Sequence, residues 1–332
     1  MLSLKSGMGT KLREWLEKLS RKGSSKQASL GIEISPKGVG FAVVAGKRDQ
    51  VTVTHSCFKA CGPGEWGNVI SDYVKGNDLK QAETYLVFHP KFYELMLIDA
   101  PDVPDEELND AVKWRVKDFI SGSVEDYVVE AFRLPSDAYR GRMNMIYVAF
   151  IKKEAVVSLV DLCDEIGVSL LQIGISELAR ANLLYCREEL KDLGVAFLHL
   201  DEDKGQIDLY ENGYLYLSRG IDTGYGMLAQ GESSGGLSLD NSSQLDNLAL
   251  DVQRSLDYYE SQLGKSGVSK LFILTAETMA EDTCAELSEK LPVRVEAFQL
   301  PSFFACNTDC SGYMDSCSVA VGAVLGGEHV AS

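Results

Sequence analysis

The sequence predicts an α/β fold of two similar halves with a cleft between them. Three observations carry that prediction. β-rich runs at 28–34, 39–44 and 51–58 are separated by Gly/Pro/Lys/Asp turns, as in an antiparallel meander. The same strand-turn-strand-turn-strand logic returns at 195–200, 206–210 and 214–218. After each meander the pattern changes to alternating helices and strands. With 332 residues and 45% hydrophobic content, the chain has apolar material for one large core or two ordinary ones.

In chain order, the first hairpin is "LGIEISPKGVGFAVVAG" (30–46), two apolar strands folded back around Pro36-Lys37-Gly38, with Glu33 inside the first. A helix near 65–74 and a strand at 84–88 follow. A strand at 93–98 leads into the most legible helix start in the chain. Asp102 lies ahead of it, Pro104 suits the first turn, and Asp105, Glu106 and Glu107 suit the positive end of the helix dipole. Leu108, Val112, Val116 and Phe119 then recur along one face. "GRMNMIYVAFI" (141–151) ends as an apolar strand, and helical patterns cover 153–166 and 176–190. Beyond the second meander, the Gly/Ser-rich "QGESSGGLSLDNSSQ" leads to a long helix through Leu245, Leu248, Val252, Leu256, Tyr259 and Leu263. A strand at 270–274, a helix at 277–291, a strand at 293–297 and a small-residue helix at 318–325 complete the pattern.

The net charge of −17 is unevenly spread. Residues 1–30 carry seven Lys/Arg against Glu14 and Glu17, so this head is +5 and the remainder −22. An acidic body argues against nucleic acid as a partner, because phosphates need a basic face. No apolar run reaches the ~18 residues of a membrane helix, and the start lacks the apolar core and cleavage site of a secretory signal. The expected compartment is the cytoplasm, where the eight cysteines would be reduced thiols. Cys57 and Cys61, or Cys306, Cys310 and Cys317, lack the paired spacing of structural zinc, so no metal site is expected. In "MLSLKSGMGTKLREWLEKLSRK", Leu12, Trp15, Leu16 and Leu19 fall at helical spacing beside Lys11, Lys18, Arg21 and Lys22. Two readings stand: a basic amphipathic helix for an anionic membrane surface or a partner, and a polar leader.

The order of segments, together with "LGIEIS", "DAPDVPDEELNDAVKWRVKDFI", "SRGIDTG" and "DVQRSLDYYES", resembles the PilM/MshI family of actin-like type IV pilus assembly proteins, with the MSHA pilus as the nearest system. The likeness runs over about 30–325. It implies an actin/FtsA-like fold: duplicated RNase H-like halves, with a subdomain inserted in the first at about 90–165. The chain then divides into a leader (1–27), a first half (28–190) and a second half (191–332). The resemblance also implies a cytoplasmic scaffold, peripherally associated with the inner membrane, that docks the cytoplasmic tail of a PilN-like bitopic protein. The pilus motor ATPase is a second candidate partner, and the basic N-terminus would meet the membrane surface.

The family's nucleotide loops map onto Glu33, Ser35, Lys37, Asp201, Lys204 and Thr275. The family pattern G-I-D-I-G reads G-I-E-I-S here, which keeps a charge and a hydroxyl that can cap a phosphate. Glu33 is either a magnesium- or water-holding group or a solvated strand-end carboxylate, and the second is favoured. The second turn holds Asp201, Glu202 and Asp203. Like charges ~4 Å apart cost ~4 kcal/mol at an effective dielectric near 20, so a triphosphate there would need magnesium. Thr275, Ala276 and Glu277 stand where the third loop's glycines are expected. The expectation is a scaffold without cofactor or ATPase activity, binding Mg-ATP weakly at most. The alternative is an ATP-binding PilM-like protein whose nucleotide state controls docking. His55, His89, His199 and His329 lie in no HExxH or triad context and read as structural or surface residues. For the partner tail, the family's groove beside the insertion points to Tyr93, Leu95 and Leu97 on a strand, Asp102 and Glu106 at the rim, and Trp114 on the helix. Trp114 is equally a core residue.

Overall fold

The computed structural model describes residues 28–46, 51–229, 239–275, 277–307 and 314–328. The basic head (1–27) and most of the Gly/Ser-rich stretch (230–238) lie outside the described residues. β1 (Ser29–Ser35), β2 (Gly38–Ala45) and β3 (Thr52–Ala60) form the first meander, with β1 and β2 in register from Ser29↔Val44 to Ser35↔Gly38. α1 (Trp66–Gly76) buries Ile70, Tyr73 and Val74, and β4 (Glu83–Phe88) pairs in parallel with β1. The chain then leaves this sheet. β5 (Glu94–Asp99), α2 (Asp105–Val116), β6 (Tyr127–Arg133) and β7 (Met145–Lys152) make a separate three-stranded sheet, β5-β7-β6. α2 covers it through Leu108, Val112 and Val116. α3 (Lys153–Ile166) and β8 (Ser169–Ile175) return to the first sheet, where β8 pairs in parallel with β4.

α4 (Ser176–Tyr185) crosses into the second half. There β9 (Gly194–Leu200), β10 (Gly205–Glu211) and β11 (Tyr214–Ile221) repeat the meander. α5 (Tyr225–Ala229), α6 (Leu239–Ser261), β12 (Val268–Leu274), α7 (Glu277–Lys290) and β13 (Arg294–Ala297) complete that half. α8 (Leu300–Phe303), β14 (Ala305–Cys306) and α9 (Met314–Glu328) follow. The two large sheets run β14-β3-β2-β1-β4-β8 and β11-β10-β9-β12-β13. Each is an antiparallel meander extended on one side by two parallel strands, the duplication that the sequence predicts, and the first carries β14 as a further parallel strand on its other edge.

Four expectations change. β6 and β8 are strands that the sequence pattern does not mark: Glu130 interrupts the apolar run of β6, and β8 passes into α4 with no turn residue between them. Phe119 is not on the buried face of α2; the helix ends at Val116 and Phe119 is exposed. α3 puts Val156, Leu159, Val160 and Cys163 into the first half's core beside Ile32 and Phe88, so the insertion ends near residue 152 and not 165. α4 ends at Tyr185, well short of residue 190.

α9, counted from sequence with the second half, lies on the first sheet. A Cβ on Gly31 of β1 would stand 1.8 Å from the Ala320 carbonyl oxygen, so only a glycine admits the helix there. Two residues on, a Cβ on Gly322 would stand 2.1 Å from the Ala179 carbonyl oxygen of α4, and Asn182 Nδ2 donates to the Gly322 carbonyl at 3.0 Å. α4 meanwhile places Ala179 and Leu183 in the core that holds Phe197 and Leu209. Each half therefore sends one helix to the other, and the two helices cross at backbone contact.

Candidate functional site

The cleft between the halves is bounded by the β1–β2 turn and the segment after β4 on one side, and by the β9–β10 turn and α5 on the other. It is lined by Ser35, Lys37, His89, Lys91, His199, Asp201, Tyr225 and Thr275, among others, and encloses about 130 Å³. Pockets for drug-sized ligands usually offer roughly 300–1,000 Å³. The side chains here are committed to one another across the gap. Lys37 Nζ lies 2.9 Å from Glu202 Oε2 and donates to Tyr225 OH at 3.1 Å. Burial pulls the Lys37 ammonium down, but Tyr225 and Glu202 outweigh it and hold the group above its ordinary range. Asp201 faces His89 Nε2 at 3.2 Å, Lys91 Nζ at 3.6 Å and His199 Nε2 at 3.7 Å. Burial would raise this carboxyl; the His89 hydrogen bond and the charges of His199, His89 and Lys91 instead hold it well below the usual carboxylate range.

The candidate nucleotide residues thus separate. Ser35, Lys37, Asp201 and Thr275 line the cleft. Ser35 Oγ is spent on the Gly38 carbonyl at 3.0 Å, closing its own turn. Lys204 is exposed and lies 3.8 Å from Asp222. Glu33 is not the solvated strand-end carboxylate expected: it is fully buried in β1, between Gly40 of β2 and Val87 of β4.

His89, His199 and Asp201 bring their donor atoms within 4.8 Å of one another, a grouping that no local motif announces because the residues come from both halves. Their hydrogen bonds decide its character. His89 Nδ1 accepts the Lys91 backbone N–H at 3.2 Å, which places the ring proton on Nε2, the atom that faces Asp201. A metal would need that nitrogen's lone pair, and the Lys91 ammonium adds a positive charge beside it. The cluster is a clasp of His and Lys on one half around a carboxylate of the other.

A second polar cluster joins all three parts of the molecule. Arg180 of α4 and Asp208 of β10 are fully buried and pair through Nε and Nη2 at 3.1 and 3.0 Å. Gln206 Nε2 donates to Glu177 Oε1 at 2.7 Å and to Asp208 Oδ1 at 2.9 Å. Tyr93, at the entry to the insertion, donates to the other Glu177 oxygen and accepts from the Ser176 N–H at 3.2 Å. The guanidinium pairs with Asp208, and its charge also favours the ionised form of Glu177. Burial, then the Asp208 charge, raise the Glu177 carboxyl above its ordinary range. The sequence signal is an i,i+3 Glu/Arg pair in α4 and an Asp between Ile207 and Leu209 in β10.

Between the insertion and the first half runs a narrow apolar slot, lined by Phe88, Val128, Ala149, Val156, Ile173 and Ile175 together with Tyr93 and Glu130. Of the candidate partner residues, only Tyr93 reaches it. Leu95 and Leu97 are half-buried against the main cores. Asp102 and Glu106 are exposed, and Trp114 is 74% exposed on the side of α2 turned away from Leu108, Val112 and Val116. The core reading of Trp114 is therefore wrong.

No protein-family model matches the chain, and no curated protein matches it in sequence. Solved structures do. The chain is similar to a "PilM-PilN type IV pilus biogenesis complex" at 16% identity and a TM-score of 0.68, over 91% of this chain and 99% of that one. It is also similar to a Bacteroides thetaiotaomicron protein with an actin-like ATPase fold and unknown function, at 13% identity and a TM-score of 0.52, over 91% and 96% of the two chains. The fold is actin-like. Among the described residues, no helix is long and apolar enough to cross a membrane.

Proposed function

We propose that this protein is a PilM-like scaffold of a type IV pilus machine, of the MSHA kind, at the cytoplasmic face of the inner membrane. It docks the cytoplasmic tail of a PilN-like bitopic protein and does not turn over ATP. The observation that carries this reading is the end-to-end likeness to a chain of a PilM–PilN complex. The cleft supports it, because cross-cleft ion pairs stand where a working ATPase of this fold would present open phosphate loops. The apolar slot beside the insertion supports it too, since an extended tail can set side chains into such a slot. Contacts with the motor ATPase, and of the basic head with the membrane surface, belong to the same reading. The gathering of Lys37 and Lys91 in the cleft favours a second reading, in which weakly bound Mg-ATP displaces the clasp and controls docking.

The test is calorimetry and amide exchange on the full chain with a synthetic N-terminal tail of its PilN-like partner. Binding is expected at micromolar Kd, about 8 kcal/mol, with protection of amides within 91–120. Mg-ATP is expected to bind more weakly than ~100 μM. Protection confined to 195–300 would place docking elsewhere, and low-micromolar Mg-ATP binding lost on Glu33→Ala would favour the second reading.

A further inference from the structure

Glu130 sits in the middle of β6 opposite Ala149 of β7, and Ala149 belongs to the first half's core. That register aims the Glu130 side chain at the face of the inserted sheet that looks onto the first half. It is 6% exposed there, in a slot whose other walls are almost wholly apolar. Its Oε2 accepts from Asn109 Nδ2 at 2.7 Å, while Asn109 Oδ1 accepts the Ala131 N–H at 2.8 Å, so the amide is locked and the carboxylate with it. Among the described residues no cation lies within ion-pair distance of it. Its hydrogen-bond partner is the neutral Asn109, and the nearby charge on α2, the Lys113 ammonium, is paired with Asp110 and only partly offsets the burial of the acid. Burial accordingly pushes its carboxyl up to about 7.

One hydrogen bond from Asn109 does not offset the burial of this acid, and a strongly perturbed carboxyl facing a slot is a candidate for holding a ligand. The slot's dimensions narrow the ligand. About 50 Å³ is room for a few water molecules, and so for the head of one side chain and not for a nucleotide or a sugar. Apolar walls ending in one acid match a side chain with an aliphatic stem and a cationic head. We propose that this slot takes one basic side chain, Lys or Arg, of the partner tail, with Glu130 as its counter-ion and Asn109 as the positioning residue. This rests on the tail-docking reading above and adds what the tail must carry: a single cation set within apolar neighbours. The desolvated pair would select against tails with a neutral residue at that point, because the acid would then be buried unpaired.

The test uses the full chain and two probes. With n-hexylguanidinium against n-hexanol, followed by NMR shifts of the slot residues, the cation is expected to bind at least ten-fold more tightly, and Glu130→Gln to abolish the difference. With the synthetic partner tail, Glu130→Gln and replacement of the tail's basic residue by norleucine are each expected to weaken binding about ten-fold, with no further loss when combined. Equal binding of the two small probes, or additive losses in the tail cycle, would overturn the proposal. Guanidinium binding that appears only after removal of residues 1–27 would give the slot to the chain's own basic head and also overturn it. A tail that fails to bind while the guanidinium preference stands would refute the docking reading and leave the cation slot intact.

Discussion

Replacing Glu130 by glutamine removes a buried acid without changing its size, and the effect on stability can be worked out with its sign. The carboxyl's ordinary value of 4.5 rises to about 7 in the folded chain, chiefly through burial. Below pH 4.5 the group is protonated both folded and unfolded, and the buried acid costs nothing. Between 4.5 and 7 the unfolded chain releases the proton while the folded chain keeps it, so stability falls as pH rises. Above 7 the loss is complete. That span, at 1.36 kcal/mol per pH unit, amounts to about 3 kcal/mol. Glu130→Gln keeps an acceptor for Asn109 and cannot ionise, so it is expected to be more stable than the parent by about 3 kcal/mol at pH 8 and equal to it within ~0.5 kcal/mol at pH 4. Urea midpoints at half-unit steps from pH 4 to 8.5 measure this, and taking the difference between the two proteins cancels every other titrating group. A difference of the same size at both ends of the range would refute the reasoning, because a packing change has no such pH dependence. So would a parent that is favoured over the variant as pH rises.

Two further outcomes follow from the junction and the helix crossing. Arg180→Met leaves the Asp208 carboxylate buried without its cation and is expected to cost about 3–5 kcal/mol by urea denaturation, whereas Arg180→Met with Asp208→Leu should recover most of that; a double variant no better than the single one would show the loss to be packing alone. Gly322→Ala sets a Cβ 2.1 Å from the Ala179 carbonyl oxygen and is expected to lower stability by about 1–3 kcal/mol, with a lower melting temperature as readout; an unchanged melting temperature would mean that α4 and α9 part more easily than their contact implies.

The elements that the sequence determined by itself are those whose information is local. The two meanders needed only apolar runs and turn residues, and α2 needed only Pro104, three acids and a period. Strands that break that grammar escaped it. β6 carries an acid whose purpose lies in a slot, and β8 ends where a helix begins. Trp114 illustrates the same limit from the other side. Helical spacing groups residues by face, but which face is covered depends on where β6 and β7 pass, and Trp114 lies on the other side of α2. The cleft residues could be nominated one at a time from loop positions, yet only folding places Asp201 against His89 and Lys91, 110 or more positions away. The return of α9 to the first sheet rests on Gly31 meeting Ala320, two small residues that are unremarkable in isolation. Burial makes the remaining distinction. Glu130 and Glu177 are acids of one kind in the sequence, and the tertiary structure alone gives each its partner and its ease of ionisation, because desolvation and nearby charge depend on distance in space and not along the chain.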